Sequence, residues 1–251
     1  MQMIEEFLFY PLAALAILIA GIAKSGFGGG LGVLSVPLMS LVIAPPRAAA
    51  IMLPLLCVMD LFTVWHYRRI WDRKNLIILL PAAMVGIFIG SLFFKYLSEA
   101  HIRIMVGLIA VIFVINFFTG KSVDQKKDAN FLSGSFWGAI AGFTSFGVHA
   151  GGPPVNIYLL PQRLEKSLYV GTTVLFFTIV NYVKLIPYAL LGQLNTNNLL
   201  TSLILSPLAP VGVYLGIKLH HKVNEKLFYR LCYIFLFITG LKLLYDGLSH
   251  L

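Results

Sequence analysis

Ten runs of apolar residues follow one another along the chain, separated by short polar stretches. Their approximate bounds are 7–23, 31–44, 48–66, 76–97, 102–118, 131–147, 153–161, 168–190, 198–217 and 227–248. A membrane-spanning helix takes about 20 apolar residues, so 31–44 and 153–161 are too short to span comfortably. The pattern predicts an all-α fold, a polytopic transmembrane bundle with eight to ten membrane segments.

Each of the two short runs follows a glycine-rich stretch, at 26–32 and at 147–154. Non-helical backbone inside a membrane has to be satisfied by protein, water or ligand. We therefore predict two broken or re-entrant helices. Both short segments should start from non-helical backbone near the middle of the bilayer, and the two breaks should face each other.

The two breaks occupy corresponding places in the two halves of the chain, which indicates an internal repeat. A shift of 121 residues places Gly30 on Gly151 and Asp60 on Asn181, and a shift of 126 aligns a more specific set. That set pairs Pro81 with Pro207, Ala83 with Ala209, Val85 with Val211, Gly86 with Gly212, Gly90 with Gly216 and Glu99 with Glu225. We predict a single transporter domain over 1–251, built from two repeats at about 7–118 and 131–248.

The cations indicate the topology. If all ten segments cross, fourteen Lys and Arg residues fall on one side of the membrane and three on the other. Cytoplasmic loops collect Lys and Arg, so the loops 67–75, 119–130 and 218–226 should be cytoplasmic and both termini outside. The second half then enters from the opposite side, which makes the halves inverted-topology repeats, as in many secondary transporters.

Composition narrows the class of protein. The chain is 59% hydrophobic and 12% charged, with a mean hydropathy of +0.87, whereas an average soluble domain is about 25% charged. A soluble enzyme, a disordered chain and a nucleic-acid binder are therefore disfavoured, and the net charge of +9 is explained by cytoplasmic loops. Cys57 and Cys232 lie in apolar runs and resemble small buried hydrophobes. No enzyme, ATP-binding or cofactor motif is present.

The glycine-rich breaks are the first candidates for chemistry. Where non-helical backbone leads into a helix, free amides and the positive end of the dipole form an anion cradle. The candidate cradle residues are Gly28, Gly29, Gly30, Gly151 and Gly152. The alternative is that these glycines only allow close helix packing.

Ionisable residues at membrane depth are functional candidates by default. Lys24 either balances an anionic substrate or snorkels to the interface. Asp60, whose repeat counterpart is Asn181, either carries a coupling proton or is the static partner of Lys24 or Lys184. Lys184 is itself a candidate, although it lies near enough to a segment end to snorkel. His149 either binds an anion and relays a proton or bonds helix-end backbone.

Several of these stretches resemble one protein family. Residues 24–38, 142–160 and 170–173, with the paired steps Gly86-x-x-x-Gly90 and Gly212-x-x-x-Gly216, are similar to the sulfite exporter TauE/SafE family. The resemblance implies a multi-pass permease for small anions such as sulfite or organosulfonates. It departs from the family's glycine-rich second pattern at His149 and Ala150, where glycine or another small residue is expected. Thr172 and Thr173 would offer hydroxyl donors near the second cradle, or bond between helices.

We therefore expect a secondary transporter, an exporter, of a small anion across the cytoplasmic (inner) membrane. The substrate would be sulfite, an organosulfonate or a related sulfur-containing or carboxylate anion. A proton or Na⁺ is the candidate coupling ion. Two alternatives stay open: a passive anion channel that uses the same half-helices as a filter, and a membrane subunit without transport of its own. The sequence leaves substrate identity, direction and oligomeric state open.

The predicted orientation has a direct test. A cysteine placed at residue 125 should not react with a membrane-impermeant thiol reagent in whole cells, because the 119–130 loop is predicted to face the cytoplasm. Ready labelling at that position in intact cells would reverse the orientation.

Overall fold

The computed structural model describes residues 8–93, 98–118 and 127–249. Within these ranges the chain is helical and has no strand, which confirms the predicted all-α class. The helices are α1 (Phe9–Phe27), α2 (Ser35–Met39), α3 (Pro45–His66), α4 (Arg73–Phe93), α5 (Glu99–Phe118), α6 (Phe131–Val148), α7 (Gly152–Leu159), α8 (Lys166–Leu190), α9 (Thr196–Leu205), α10 (Leu208–Lys222) and α11 (Glu225–Leu248). Short 3₁₀ turns at Gly30–Leu34 and Leu160–Gln162 precede α2 and follow α7.

Five of the described helices are long and apolar enough to cross a membrane: α1, α3, α4, α8 and α11. The pair α9 and α10 would make a sixth span, but it bends by 47°. The bend falls at Ser206 and Pro207, where proline removes a backbone donor. The sequence predicted one continuous segment over 198–217, and this break corrects it. Among the described residues, length and composition thus give five or six candidate spans, where the sequence predicts eight to ten membrane segments.

Both short segments fold back on the helix that precedes them. Val36 and Met39 of α2 pack in one apolar cluster with Phe9 and Ala13 of α1. Near the start of α6, the Tyr158 hydroxyl of α7 donates to the Asn130 carbonyl at 3.4 Å. The two hairpins therefore have their tips at the glycine-rich breaks, and both segments begin from non-helical backbone as predicted.

Glycine allows the two main helix crossings to be close. A Cβ on Gly21 of α1 would lie 2.8 Å from the backbone of Gly212 in α10, and a Cβ on Gly142 of α6 would lie 2.1 Å from the Ala83 carbonyl oxygen in α4. In a membrane the association of helices depends on such close packing, because lipid is as apolar as the helix surface. The α1–α10 and α4–α6 pairs, together with α5–α11, are the most extensive contacts of the bundle.

The cation-rich loops gather at one end of the bundle. Lys166 Nζ donates to the carbonyls of His220 and Val223 at 3.0 and 2.7 Å, and Asn75 bonds Gln162 at 2.8 Å. Arg47 and Asn198 pair at the opposite end. This grouping agrees with the predicted loop sides, but which side faces the cytoplasm stays a prediction. Residue 125 lies outside the described residues.

Lys24 does not belong to these loops. It is one of the fourteen cations that the sequence pattern places on the cytoplasmic side, but it lies within α1 and is only 5% exposed. Because α1 continues to Phe27 before it breaks, Lys24 lies in the last two turns of this helix and not in a loop.

The α4–α6 crossing makes a prediction about stability. Gly142→Ala should lower the thermal midpoint of the detergent-solubilised protein, because the new methyl would collide with the backbone of Ala83. Overpacking of this kind costs about 1–3 kcal/mol. Scanning fluorimetry measures the midpoint.

The matched control lies on the same helix. A Cβ on Gly147 would meet only the tip of the Ile102 side chain, at 3.4 Å, so Gly147→Ala should leave the midpoint unchanged or raise it. Equal midpoints for the two variants would contradict the close crossing.

Candidate functional site

The breaks after α1 and α6 have the same backbone geometry. Gly28 and His149 both adopt the left-handed conformation, with φ of +68° and +52°. The Gly29 amide then bonds the Ala23 carbonyl at 2.8 Å. The Ala150 amide bonds the Thr144 carbonyl at 3.1 Å in the equivalent way. The amides of Gly28 and His149 bond these same two carbonyls, and this 6→1 bond closes a helix whose next residues turn away.

The two breaks differ in the residue at the left-handed position. At Gly28 a Cβ would lie 2.6 Å from the Tyr169 ring, so only glycine fits. At the second break His149 carries a full side chain at positive φ, a conformation that costs about 1–2 kcal/mol in a non-glycine residue. Strain of this kind persists where surrounding contacts hold the residue in place.

The tips of the two hairpins meet. A Cβ on Gly152 would lie 3.2 Å from the Gly29 carbonyl oxygen. Phe177, near the midpoint of α8, lies beside the positions of both Gly29 and Gly151. A cavity of about 50 Å³ lies at this junction. It is lined by Ala20, Lys24, Gly29, Gly32, Val33, Leu56, Ser145, His149, Gly152, Phe177 and Asn181.

A buried ion pair forms one wall of the site. Lys24 Nζ lies 2.7 Å from Asp60 Oδ1, and Asp60 is completely buried. The carboxylate also accepts hydrogen bonds from Thr178 Oγ1 at 2.7 Å and from Asn181 Nδ2 at 2.9 Å. A buried charge is tolerated only when it is paired and hydrogen-bonded, and Asp60 meets both conditions.

A second buried ammonium lies on the other side of the cavity. Lys184 is completely buried, and its Nζ lies 3.1 Å from the Ser145 carbonyl, 3.0 Å from Ser145 Oγ and 3.1 Å from His149 Nδ1. These three acceptors match the three N–H groups of an ammonium. Among the described residues no carboxylate pairs with Lys184.

The contacts of His149 determine its tautomer. Because Nδ1 accepts from Lys184, the ring proton belongs on Nε2, which lies 3.2 Å from the Ala49 carbonyl and 3.3 Å from the Tyr188 hydroxyl. Tyr188 in turn donates to the Phe146 carbonyl at 3.0 Å. This network assigns neutral imidazole to His149, since a proton on Nδ1 would face the Lys184 ammonium.

The arrangement suits a small anion. Two ammonium groups and one carboxylate leave the site with one positive charge in excess. Lys24 donates one of its three ammonium N–H groups to Asp60. The Ser145 hydroxyl accepts from Lys184 and keeps its own hydrogen to donate. Both residues line the cavity, so charged and polar donors converge on it.

The backbone contributes less than the sequence suggested. Pro153 and Pro154 occupy the first turn of α7 and have no N–H, so only Gly151 and Gly152 offer amides there. Residues 30–34 form a 3₁₀ turn and not the start of a long helix, so little macrodipole develops at Gly30. The positive charge of the site therefore comes from lysine side chains.

Most of the candidate residues come together at this junction. Lys24, Gly29, His149, Gly152 and Asn181 line the cavity. Asp60 and Lys184 bond to residues that line it, and Gly28, Gly30 and Gly151 belong to the two breaks.

The two threonines are exceptions. Thr172 Oγ1 accepts from the Asp72 amide at 2.8 Å, in the loop after α3, and neither Thr172 nor Thr173 lines the cavity. Thr173 bonds its own helix at Val170. Both lie one to two turns too close to the start of α8 to reach the cavity.

Sequence reasoning missed Ser145, Phe177, Thr178 and Tyr188. A signal for two of them was present, because Thr178 and Tyr188 share with Asn181 and Lys184 a polar stripe at helical spacing along α8. Ser145 also lies 121 residues after Lys24, at the spacing of the proposed repeat. Phe177 has no such signal, since it is one of many phenylalanines in an apolar run.

A larger depression of about 740 Å³ lies elsewhere, between α5 and α11 near the cation-rich loops. It is lined by Phe118, Leu160, Arg163, Glu225, Lys226, Tyr229, Arg230 and Tyr233. No candidate site residue lines it, and its charged side chains are exposed. The small cavity at the breaks is therefore the better candidate site.

Comparison with known proteins decides the family. The family model described as "Sulfite exporter TauE/SafE" matches residues 13–243. The chain belongs to the sulfite exporter TauE/SafE family. Membership confirms the resemblance noted in the sequence and makes the chain a multi-pass membrane transporter and not an enzyme. No curated protein and no solved structure matches it.

The buried ion pair of this family member makes a prediction. Asp60→Asn should lower both the yield of folded protein and its thermal midpoint, because Lys24 would be left buried without its carboxylate. Breaking a buried pair from one side costs about 3–5 kcal/mol. Fluorescence-detected size exclusion and scanning fluorimetry measure the two effects.

Two further variants complete this test. Lys24→Met combined with Asp60→Asn should recover most of the loss, since it removes both charges. Asp128→Asn changes an exposed carboxylate and should have little effect. Normal folding of Asp60→Asn would argue against the ion pair and for a proton-carrying Asp60.

Proposed function

We propose that this family member is a secondary transporter that carries a small anion through the junction of the two breaks. The observation that carries the proposal is the excess buried cation: Lys184 has three neutral acceptors and no carboxylate partner among the described residues. An uncompensated charge in a membrane protein is costly. An anion in the adjoining cavity would compensate it during each cycle.

The size and lining of the cavity support a compact substrate. A volume of about 50 Å³ suits an anion of a few heavy atoms and not a nucleotide or a lipid. Oxyanions accept several hydrogen bonds, and Lys24 and Ser145 provide charged and neutral donors. Sulfite, an organosulfonate or a small carboxylate fits this chemistry, and membership of an exporter family favours outward movement across the cytoplasmic membrane.

Inverted repeats would provide the alternating access. Three features support them: the equivalent helix ends at Gly28 and His149, the contact between Asp60 and its counterpart Asn181, and the reciprocal packing of α1 on α10 and α6 on α4. Rocking of one repeat against the other around a central site is a common transport mechanism. Under this proposal both termini lie outside the cytoplasm.

The contacts of Asp60 bear on coupling. A carboxylate held by Lys24, Thr178 and Asn181 supports the static-pair alternative more than the proton-carrier alternative. A proton or Na⁺ stays our candidate coupling ion, with the group that binds it outside this pair. The passive anion channel remains the second candidate function, because the same lysines would also attract anions along a pore.

A binding screen tests the site. Sulfite, sulfate, sulfonates and small carboxylates should each be tested for a thermal shift with the purified protein, and at least one should stabilise it. Lys184→Met should reduce that anion's affinity at least tenfold, because it removes the excess charge. Lys242→Met, which changes a partly exposed lysine, is the control. Stabilisation that survives in Lys184→Met would contradict the assigned site.

Flux measurements separate transporter from channel. In proteoliposomes, a pH or Na⁺ gradient should drive uptake of the anion against its own concentration gradient if the chain is a coupled transporter. Movement only down the anion's own gradient would favour the channel.

A further inference from the structure

The contact between Lys184 and His149 limits the number of charges that the site can hold. His149 Nδ1 accepts from the Lys184 ammonium at 3.1 Å, so in this arrangement the imidazole has no room for a second proton. Protonation of His149 requires Lys184 to withdraw its hydrogen bond. The two residues therefore form one unit, in which a proton on His149 Nδ1 and the bond from Lys184 exclude each other.

An anion in the cavity removes this exclusion. His149 and Ser145 both line the cavity and both bond Lys184, so an oxyanion placed there lies beside the acceptors that Lys184 now uses. Lys184 would redirect one N–H from Nδ1 to the anion. Nδ1 would then be free to take a proton from solvent and to donate it to the same anion.

The charges that surround this unit decide when the proton is needed. Lys24 of α1 and Asp60 of α3 neutralise each other at 2.7 Å. Within the described part of the chain, Cys57 of α3 and Tyr188 of α8 are the other titratable groups that face Lys184 or His149, and both are neutral as thiol and phenol. The described site therefore carries the single charge of Lys184, which balances a monovalent anion and leaves a divalent one short by one.

We propose that His149 takes up one proton when a divalent oxyanion binds, so that proton and dianion enter the site together, whereas a monovalent anion binds without it. This inference rests on the proposed function, and it assigns the coupling proton to His149 and not to Asp60. The step is balanced: Nδ1 gains a proton from solution, Lys184 keeps all three of its own, and no bond other than hydrogen bonds is broken.

Sulfate and methanesulfonate are suitable probes, because one is a dianion and the other a monoanion throughout the neutral range. Their affinities should be measured by calorimetry from pH 6 to pH 8 in buffers of different ionisation enthalpy, which also gives the protons taken up. For the unmodified protein, sulfate affinity should rise about tenfold for each pH unit lowered, the linkage slope for one proton. Methanesulfonate affinity should stay constant.

The test variant is His149→Asn. Asparagine tolerates positive φ better than other non-glycine residues, and its amide oxygen can still accept from Lys184 but does not titrate. We expect methanesulfonate affinity in this variant to stay independent of pH, the affinity for sulfate relative to methanesulfonate at pH 6 to fall at least tenfold, and proton uptake to be lost. His149→Gly, which places at this break the residue type found at Gly28, removes the backbone strain and should likewise lose the proton uptake.

The control is His221→Asn, because His221 is an exposed histidine at the cation-rich end; it should keep the sulfate slope. Unchanged sulfate-linked proton uptake in both His149 variants would overturn the inference, as would an equal pH slope for methanesulfonate. If methanesulfonate binds and sulfate does not at any pH, the inference fails while the proposed function stands. If no anion in the screen binds, both fail.

Discussion

Every buried charge at the junction needs polar partners, and the rest of the structure depends on meeting this requirement. Inside a membrane protein an ammonium or carboxylate is stable only where acceptors or donors surround it. Asp60 meets this requirement with Lys24, Thr178 and Asn181. Lys184 meets it with three neutral acceptors. The positions of α1, α3, α6 and α8 around the junction are those that bring these groups within reach of one another.

Close backbone packing makes that junction possible. Gly21, Gly142 and Gly212 let α1 approach α10 and α6 approach α4 so closely that a methyl group would collide with the opposite backbone. α1 and α6 then break at Gly28 and His149, and the tips of the two hairpins meet at Gly29 and Gly152. Glycines therefore act twice, first in the helix crossings and then where the hairpin tips meet.

The site is asymmetric although its two helix breaks have the same backbone geometry. The helix ends at Gly28 and His149 have equivalent bonds, but one carries no side chain and the other carries an imidazole in contact with Lys184 and Tyr188. Lys24 pairs with a carboxylate, whereas Ser145, 121 residues later, accepts from a lysine. The excess positive charge arises from this difference, and the proposed preference of the cavity for anions rests on it.

The sequence by itself determined the class of fold, most of the helix positions and the two breaks. Hydrophobic run length and glycine placement depend on local chemistry, so the approximate bounds of α3, α6 and α8 and the positions of the two breaks were predictable from the sequence. The bend at Pro207 could not be predicted from the sequence. The aligned residue, Pro81, lies inside a continuous helix, whereas α9 and α10 bend at Pro207, so packing decides whether a proline breaks a helix.

Only the tertiary structure decided which charges pair. The sequence left Asp60 with two equivalent partners, Lys24 and Lys184, and distance alone assigned it to Lys24. That assignment left Lys184 as the excess cation and made His149 its acceptor. The packing of α8 also keeps Thr172 and Thr173 away from the cavity. Electrostatic pairing depends on separations of a few ångströms between helices, and such separations are a property of how the helices pack and not of any single segment.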